Sequence, residues 1–146
     1  MERILISACL VGDNVKYDGT NNKSPYLDKL LEKYELVPFC PEVEGGLPTP
    51  RHPSEQKDDK VINDLNEDVT EYFLQGAELA YNICLFLKIK IAILKERSPS
   101  CGVHEIYDGT FSHQKISGMG ITASYLKRKG IQVYNEDEIP NLLNLD

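Results

Sequence analysis

The chain contains no CxxC pair, no HxH or HxxxH pair, no GxGxxG or GxxxxGK[ST] loop and no GxSxG elbow. These absences set aside zinc ribbons, thioredoxin-type redox motifs, the common nucleotide-phosphate loops and the α/β-hydrolase nucleophile. No apolar run approaches the roughly 20 residues that a bilayer span requires, so no membrane partner is expected. Basic residues are in deficit: 16 Lys and Arg stand against 23 Asp and Glu, a net charge of −7. Phosphate neutralisation supplies most nucleic-acid affinity, so a nucleic-acid partner is not expected either. The first residues, MERILISAC, run directly into a strand pattern rather than a signal peptide, and the expectation is a cytoplasmic protein. There, the four cysteines are expected as metal ligands, nucleophiles or core filler rather than disulfides.

What is present is 146 residues, 41% hydrophobic and 27% charged, which suits one domain spanning 1–146 with a real core. Strand patterns fall at residues 3–8, 35–39, 60–63, 90–94 and 131–134. Ser24 and Pro25 open a helix with a stripe of Tyr26, Leu27, Leu30, Leu31 and Tyr34. Thr70 is expected to cap a long helix over 71–87, whose Phe73, Gly76, Ala77, Ala80, Ile83, Cys84 and Leu87 recur at three- and four-residue spacing. A third helix begins near Thr122 and stops at Gly130, and Asn135 caps a short last one. The turn signal in Tyr107-Asp108-Gly109-Thr110 predicts a hairpin within 106–116. Strands alternating with helices imply a single-domain α/β fold: three layers around a mainly parallel, Rossmann-like sheet.

The segment IAILKERSPSCG, residues 91–102, leaves a buried strand and delivers Ser98, Ser100 and Cys101 to the rim where open α/β sheets bind ligands. ILISAC ends at Cys9 and ELVPFC at Cys40 in the same relation to a strand. If those strands are neighbours, three thiols meet at one point. Thiolates so placed repel one another unless a cationic centre lies between them, and a metal or an iron–sulfur cluster is the simplest such centre. Three protein ligands would leave one position open for substrate. Burial as core filler is the alternative, and it is the one adopted for Cys84, on a helical apolar face.

Glu42, two residues after Cys40, is a candidate proton carrier, with Glu44 as its competitor. Ser98 and Ser100 offer hydroxyls to a substrate or to their own turn. Gly45 and Gly46 would allow backbone N–H groups close to an anion, and Arg51, Lys95 and Arg97 are candidates for holding a phosphate or carboxylate. Asp18 and Asp108 are expected to stabilise the two YDG turns.

Taken together, ISACLVG with YDG, VPFCPEVEGGLPTPR, DVTEYFLQGA, LKERSPSCG with IYDGTF, and GMGITASYL resemble the thiouracil desulfurase (desulfidase) family over residues 4–134. The resemblance is to the short form, without the second domain that some relatives carry. It implies a [4Fe–4S] cluster held by Cys9, Cys40 and Cys101, with Glu42 as catalytic carboxylate and Ser100 as the serine before the third cysteine. The implied reaction is non-redox: a thiolated pyrimidine, thiouracil or thiouridine monophosphate, is converted to the oxo base and hydrogen sulfide. Two rival readings remain. One is a sensor or structural module that holds a metal or cluster without turnover, and the other is a metal-free thiol enzyme using Cys9 or Cys101.

Overall fold

The computed structural model describes residues 1–145. Strand β1 (Glu2–Ser7) is buried from Ile4 onward, a near-continuous apolar run suited to a strand covered on both faces. The chain then passes through a 3₁₀ turn (Ala8–Val11) and a loop to α1 (Leu27–Lys33) and β2 (Tyr34–Phe39). A short α2 (Pro41–Glu44) precedes the hairpin of β3 (Ser54–Lys57) and β4 (Lys60–Asn63). The long α3 (Thr70–Leu87) leads to β5 (Ile91–Leu94), followed by a second hairpin, β6 (Glu105–Tyr107) and β7 (Lys115–Ser117). Helix α4 (Ile121–Arg128), β8 (Gln132–Asn135) and α5 (Ile139–Leu142) complete the order.

The central sheet runs β2-β1-β5-β8, with every pairing parallel. Alternation along β1 assigns its two faces. Ile4 and Ile6 pack with Leu30, Tyr34, Ile93 and Ile139, beneath α1 and α5. Leu5 packs with Ala80, Cys84, Ala92, Leu94, Ala123 and Leu126, beneath α3 and α4. Three layers result, as the pattern predicts. From β1 the chain goes to β2 on one side and later returns to β5 on the other. That reversal opens a crevice beyond the carboxyl ends of β1 and β5.

Several local expectations are corrected. Ser24 does not cap a helix that starts at Pro25. Its hydroxyl accepts the Tyr26 N–H at 3.1 Å in a separate turn, and α1 begins two residues later. Of the proposed α1 stripe, Leu30 is fully buried while Leu31 is half exposed. Thr70 is the first residue of α3 rather than its cap. Its hydroxyl accepts the Val61 N–H at 2.9 Å and so ties the helix to β4. Pro41 opens α2, a helix absent from the sequence pattern, where its fixed φ suits a first helical position and its missing N–H costs nothing. Asn135 does form the expected cap, in a reciprocal box with Glu138.

Candidate active site

Each candidate cysteine is set by the end of a different strand. Cys9 lies in the 3₁₀ turn directly after β1, with Asn22 fastened to it twice: the Asn22 backbone N–H donates to the Cys9 carbonyl at 3.0 Å and its amide to Cys9 Sγ at 3.6 Å. Cys40 follows β2 and is the residue before α2. Cys101 follows β5 by way of a tight turn in which Ser98 Oγ accepts the N–H groups of Ser100 (3.1 Å) and Cys101 (3.0 Å). Gly120 makes room for that turn, since a Cβ there would lie 2.4 Å from the Ser100 carbonyl carbon.

All three cysteines line one cavity of about 440 Å³ over the crevice between β1 and β5, together with Glu42, Ser98 and Ser100. Burial pushes the Cys101 thiol up to about 12, opposed by the Ser7 and Ser100 hydroxyls and reinforced by Cys40 and Cys9. Burial likewise raises Cys9 and Cys40, and Cys40 adds to the effect on Cys9. Each thiol therefore resists ionising beside the others, and a cationic centre among them would relieve that resistance. Among the described residues, no three His, Cys, Asp or Glu side chains close around a single ion. Three soft sulfur donors sharing one cavity are a donor set that fits an iron–sulfur group.

Glu42 faces this cavity from α2, with its side chain almost wholly buried. Its Oε2 accepts the Ser100 hydroxyl at 2.8 Å, and its Oε1 accepts Arg51 Nε at 3.1 Å. Ser98 Oγ is 2.9 Å from Ser100 Oγ, so the two hydroxyls and the carboxylate form one chain. A proton can be passed along it, and a substrate oxygen or nitrogen can join at Ser100.

The other substrate-binding candidates have different roles. Arg51 does not reach for an anion in solution. Three of its four other N–H groups donate to the Val15 carbonyl (2.8 Å), the Pro48 carbonyl (3.3 Å) and Thr49 Oγ1 (3.1 Å), so the guanidinium is engaged in holding Glu42 and two loops. Lys95 lines the cavity but pairs with Glu136 at 2.8 Å and donates to the Glu96 carbonyl. Arg97 pairs with Glu105 at 3.2 Å on the surface. Gly45 and Gly46 lie off the cavity lining. A Cβ on Gly45 would stand 2.1 Å from the Tyr72 carbonyl oxygen, and one on Gly76 2.0 Å from that of Pro41. These glycines let α2 lie directly on α3, which sets the height of Glu42. Ser98 is the organiser of the Cys101 turn. Asp18 and Asp108 stabilise their YDG turns as expected, each accepting from the N–H and hydroxyl of the threonine two residues on.

The sequence reading missed Glu96. It is buried at the end of β5, and its carboxylate accepts the N–H groups of Val103 (2.7 Å), His104 (3.0 Å) and Glu105 (3.1 Å) and the Asn135 amide (2.7 Å). Burial alone would raise its pKa, but these donors outweigh burial and hold it at about 2. The charge closes the loop that carries Cys101. Nothing in a Lys-Glu-Arg triplet marks the middle residue as buried. Asn22, beside Cys9, was missed for the same reason: its partner is 13 residues away.

The chain is similar to known proteins along nearly its whole length. The family described as 2-thiouracil desulfurase matches residues 4–138. An uncharacterised protein of Bacillus subtilis (strain 168), YbbK, is 39% identical over 150 residues, covering 96% of this chain and 99% of its own. The solved structure of TudS, a [4Fe-4S]-dependent thiouracil desulfidase, superposes with a TM-score of 0.92 at 47% identity, covering 97% of this chain and 95% of that one.

Proposed function

The chain belongs to the 2-thiouracil desulfurase family, and on that premise we propose that it removes sulfur from a thiolated pyrimidine, using a [4Fe–4S] cluster held by Cys9, Cys40 and Cys101. The observation that carries the reading is the meeting of three strand-end thiols with the Glu42–Ser100 pair at one cavity. Bound there, the cluster supplies a Lewis-acidic iron soft enough to take a thiocarbonyl sulfur.

The chain's own groups supply the rest. The reaction converts the thiouracil and water to uracil and hydrogen sulfide, with no net oxidation. The C=S carbon gains the water oxygen, and the two water protons leave with sulfide. Glu42 Oε2 accepts a proton from the attacking water, and Ser100 Oγ, already donating to that oxygen, returns it or steadies the ring. Arg51 aims Glu42 by holding its Oε1, while adding no acidic proton of its own.

The substrate is a small-molecule thiolated pyrimidine, and its nucleotide form, thiouridine monophosphate, extends the reading. The support is Lys16 and His113, which line the same cavity and offer a phosphate an ammonium group and an imidazole. The test is anaerobic incubation of the reconstituted protein with 2-thiouracil, with no reductant added. Sulfide and uracil in equal amounts are expected, whereas cluster-loaded protein that leaves thiouracil intact would contradict the proposal. That second outcome would favour a cluster-holding sensor without turnover.

A further inference from the structure

The cavity has a second wall, formed by the β6–β7 hairpin and contributing Tyr107, Phe111 and His113. The backbone there is unusual. Phe111 has φ 57°, in the left-handed region that a bulky side chain seldom occupies. Such a conformation persists only where the surroundings over-determine it. Here Glu55 does so: its Oε1 accepts the N–H groups of both Gly109 (3.0 Å) and Phe111 (3.2 Å). The Asp108 N–H donates to the Gln114 carbonyl at 3.0 Å and closes the loop from below.

Glu55 is on β3, and its neighbour Gln56 is bonded to the opposite wall. Gln56 Nε2 donates to the carbonyls of Pro99 (3.2 Å) and Met119 (2.8 Å). Pro99 lies in the turn that carries Ser98, Ser100 and Cys101. Adjacent residues of one strand thus hold the Phe111 loop on one side and the Ser100 turn on the other. The backbone that carries Phe111 is thus tied to the turn that carries Ser100 before any ligand enters, which is preorganisation.

We infer that Phe111, set by Glu55, is the surface on which the substrate's pyrimidine ring stacks. The inference rests on the desulfurase reading and deepens it by assigning ring recognition to a loop remote from the cysteines in sequence. A planar six-membered ring offers a face to an aromatic side chain whatever its substituents, so this contact selects for the ring, while Ser100 and Glu42 select for the group being exchanged.

The test compares wild type with Phe111→Ala, Phe111→Tyr, Glu55→Ala and, as a control, Phe86→Ala, an exposed residue at the end of α3. Iron content, KM and kcat for 2-thiouracil, and retention of 2-thiouracil in anaerobic equilibrium dialysis are read for each. Phe111→Ala should raise KM and weaken retention by about tenfold, the scale of a lost base–aromatic stack, with iron content unchanged. Phe111→Tyr should restore both, Glu55→Ala should move both in the Phe111→Ala direction, and Phe86→Ala should move neither. A Phe111→Ala protein with wild-type KM and retention overturns the inference while leaving desulfuration intact. A wild type that retains thiouracil without releasing sulfide overturns the desulfurase reading, and the stacking inference then stands or falls on retention alone. A wild type that does neither overturns both.

Discussion

Arg51 Nε donates to Glu42 Oε1 at 3.1 Å, and both side chains are nearly buried. The other carboxylate oxygen is left to Ser100 at 2.8 Å. A buried carboxylate needs a permanent partner, and arginine provides one that stays charged and planar. Arg51→Lys keeps the charge but loses the fork that also grips Val15, Pro48 and Thr49. Sulfide release should fall by about tenfold or more with iron content unchanged. Arg51→Ala leaves the carboxylate unpaired and should also destabilise the fold, by about 3–5 kcal/mol. Paired activity and thermal-melt measurements check both.

Glu42→Gln preserves size and a hydrogen-bond acceptor but cannot take a proton. Sulfide release should drop by roughly 10²–10⁴-fold, the usual range for a lost general base. Since Glu42 is not among the three thiols, the cluster's absorption should be unchanged. Ser100→Ala should reduce turnover less, and Ser98→Ala should loosen the Cys101 turn, visible as poorer iron retention.

Glycine at position 76 allows α3 to touch α2. Gly76→Ala places a methyl group 2.0 Å from the Pro41 carbonyl oxygen, which neither backbone can accommodate without moving. A loss of about 1–3 kcal/mol in unfolding free energy is expected. Because α2 carries Glu42, kcat should fall as well. Urea unfolding together with kinetics separates the two effects.

Glu96 makes stability depend on acid. Hydrogen-bond donors hold its folded pKa at about 2 against the opposing effect of burial, whereas an unfolded Glu titrates near about 4.3. The unfolded state therefore binds the proton first. The stabilisation, on the order of 3 kcal/mol, is fully present above pH ~4.3 and is lost as pH falls toward 2. Glu96→Gln should be less stable than wild type at neutral pH, and the difference should shrink below pH ~4. Thermal melts across that range check the sign.

The parallel sheet and the three strand-end cysteines could be read from the chain because each is a local pattern: an apolar run followed by a break and a thiol. Glu42 is legible by its closeness to Cys40, whereas Ser100 is told apart from Ser98 only by the family resemblance. The long-range pairings are not legible. Arg51 is only a candidate anion holder in the sequence, because a loop arginine carries no mark of the carboxylate it serves. Gly45 and Gly46 do mark a close approach, but the approaching group is Tyr72, its carbonyl at Gly45 and its ring at Gly46, rather than an anion. The β3 strand was missed because SEQK has no apolar alternation; it forms by pairing with β4. Phe111 gave no signal, since its placement depends on Glu55, 56 residues earlier.

Cys84 supplies the internal control for the cluster assignment. It is buried in the α3 face of the core, and burial pushes its thiol up to about 11. The decisive measurement is iron per chain after anaerobic reconstitution, in wild type and in single Cys→Ala variants at all four cysteines. The account predicts about four irons in wild type and in Cys84→Ala, and loss of the cluster in Cys9→Ala, Cys40→Ala and Cys101→Ala. Colourless wild type, or full iron in any of those three variants, would contradict it.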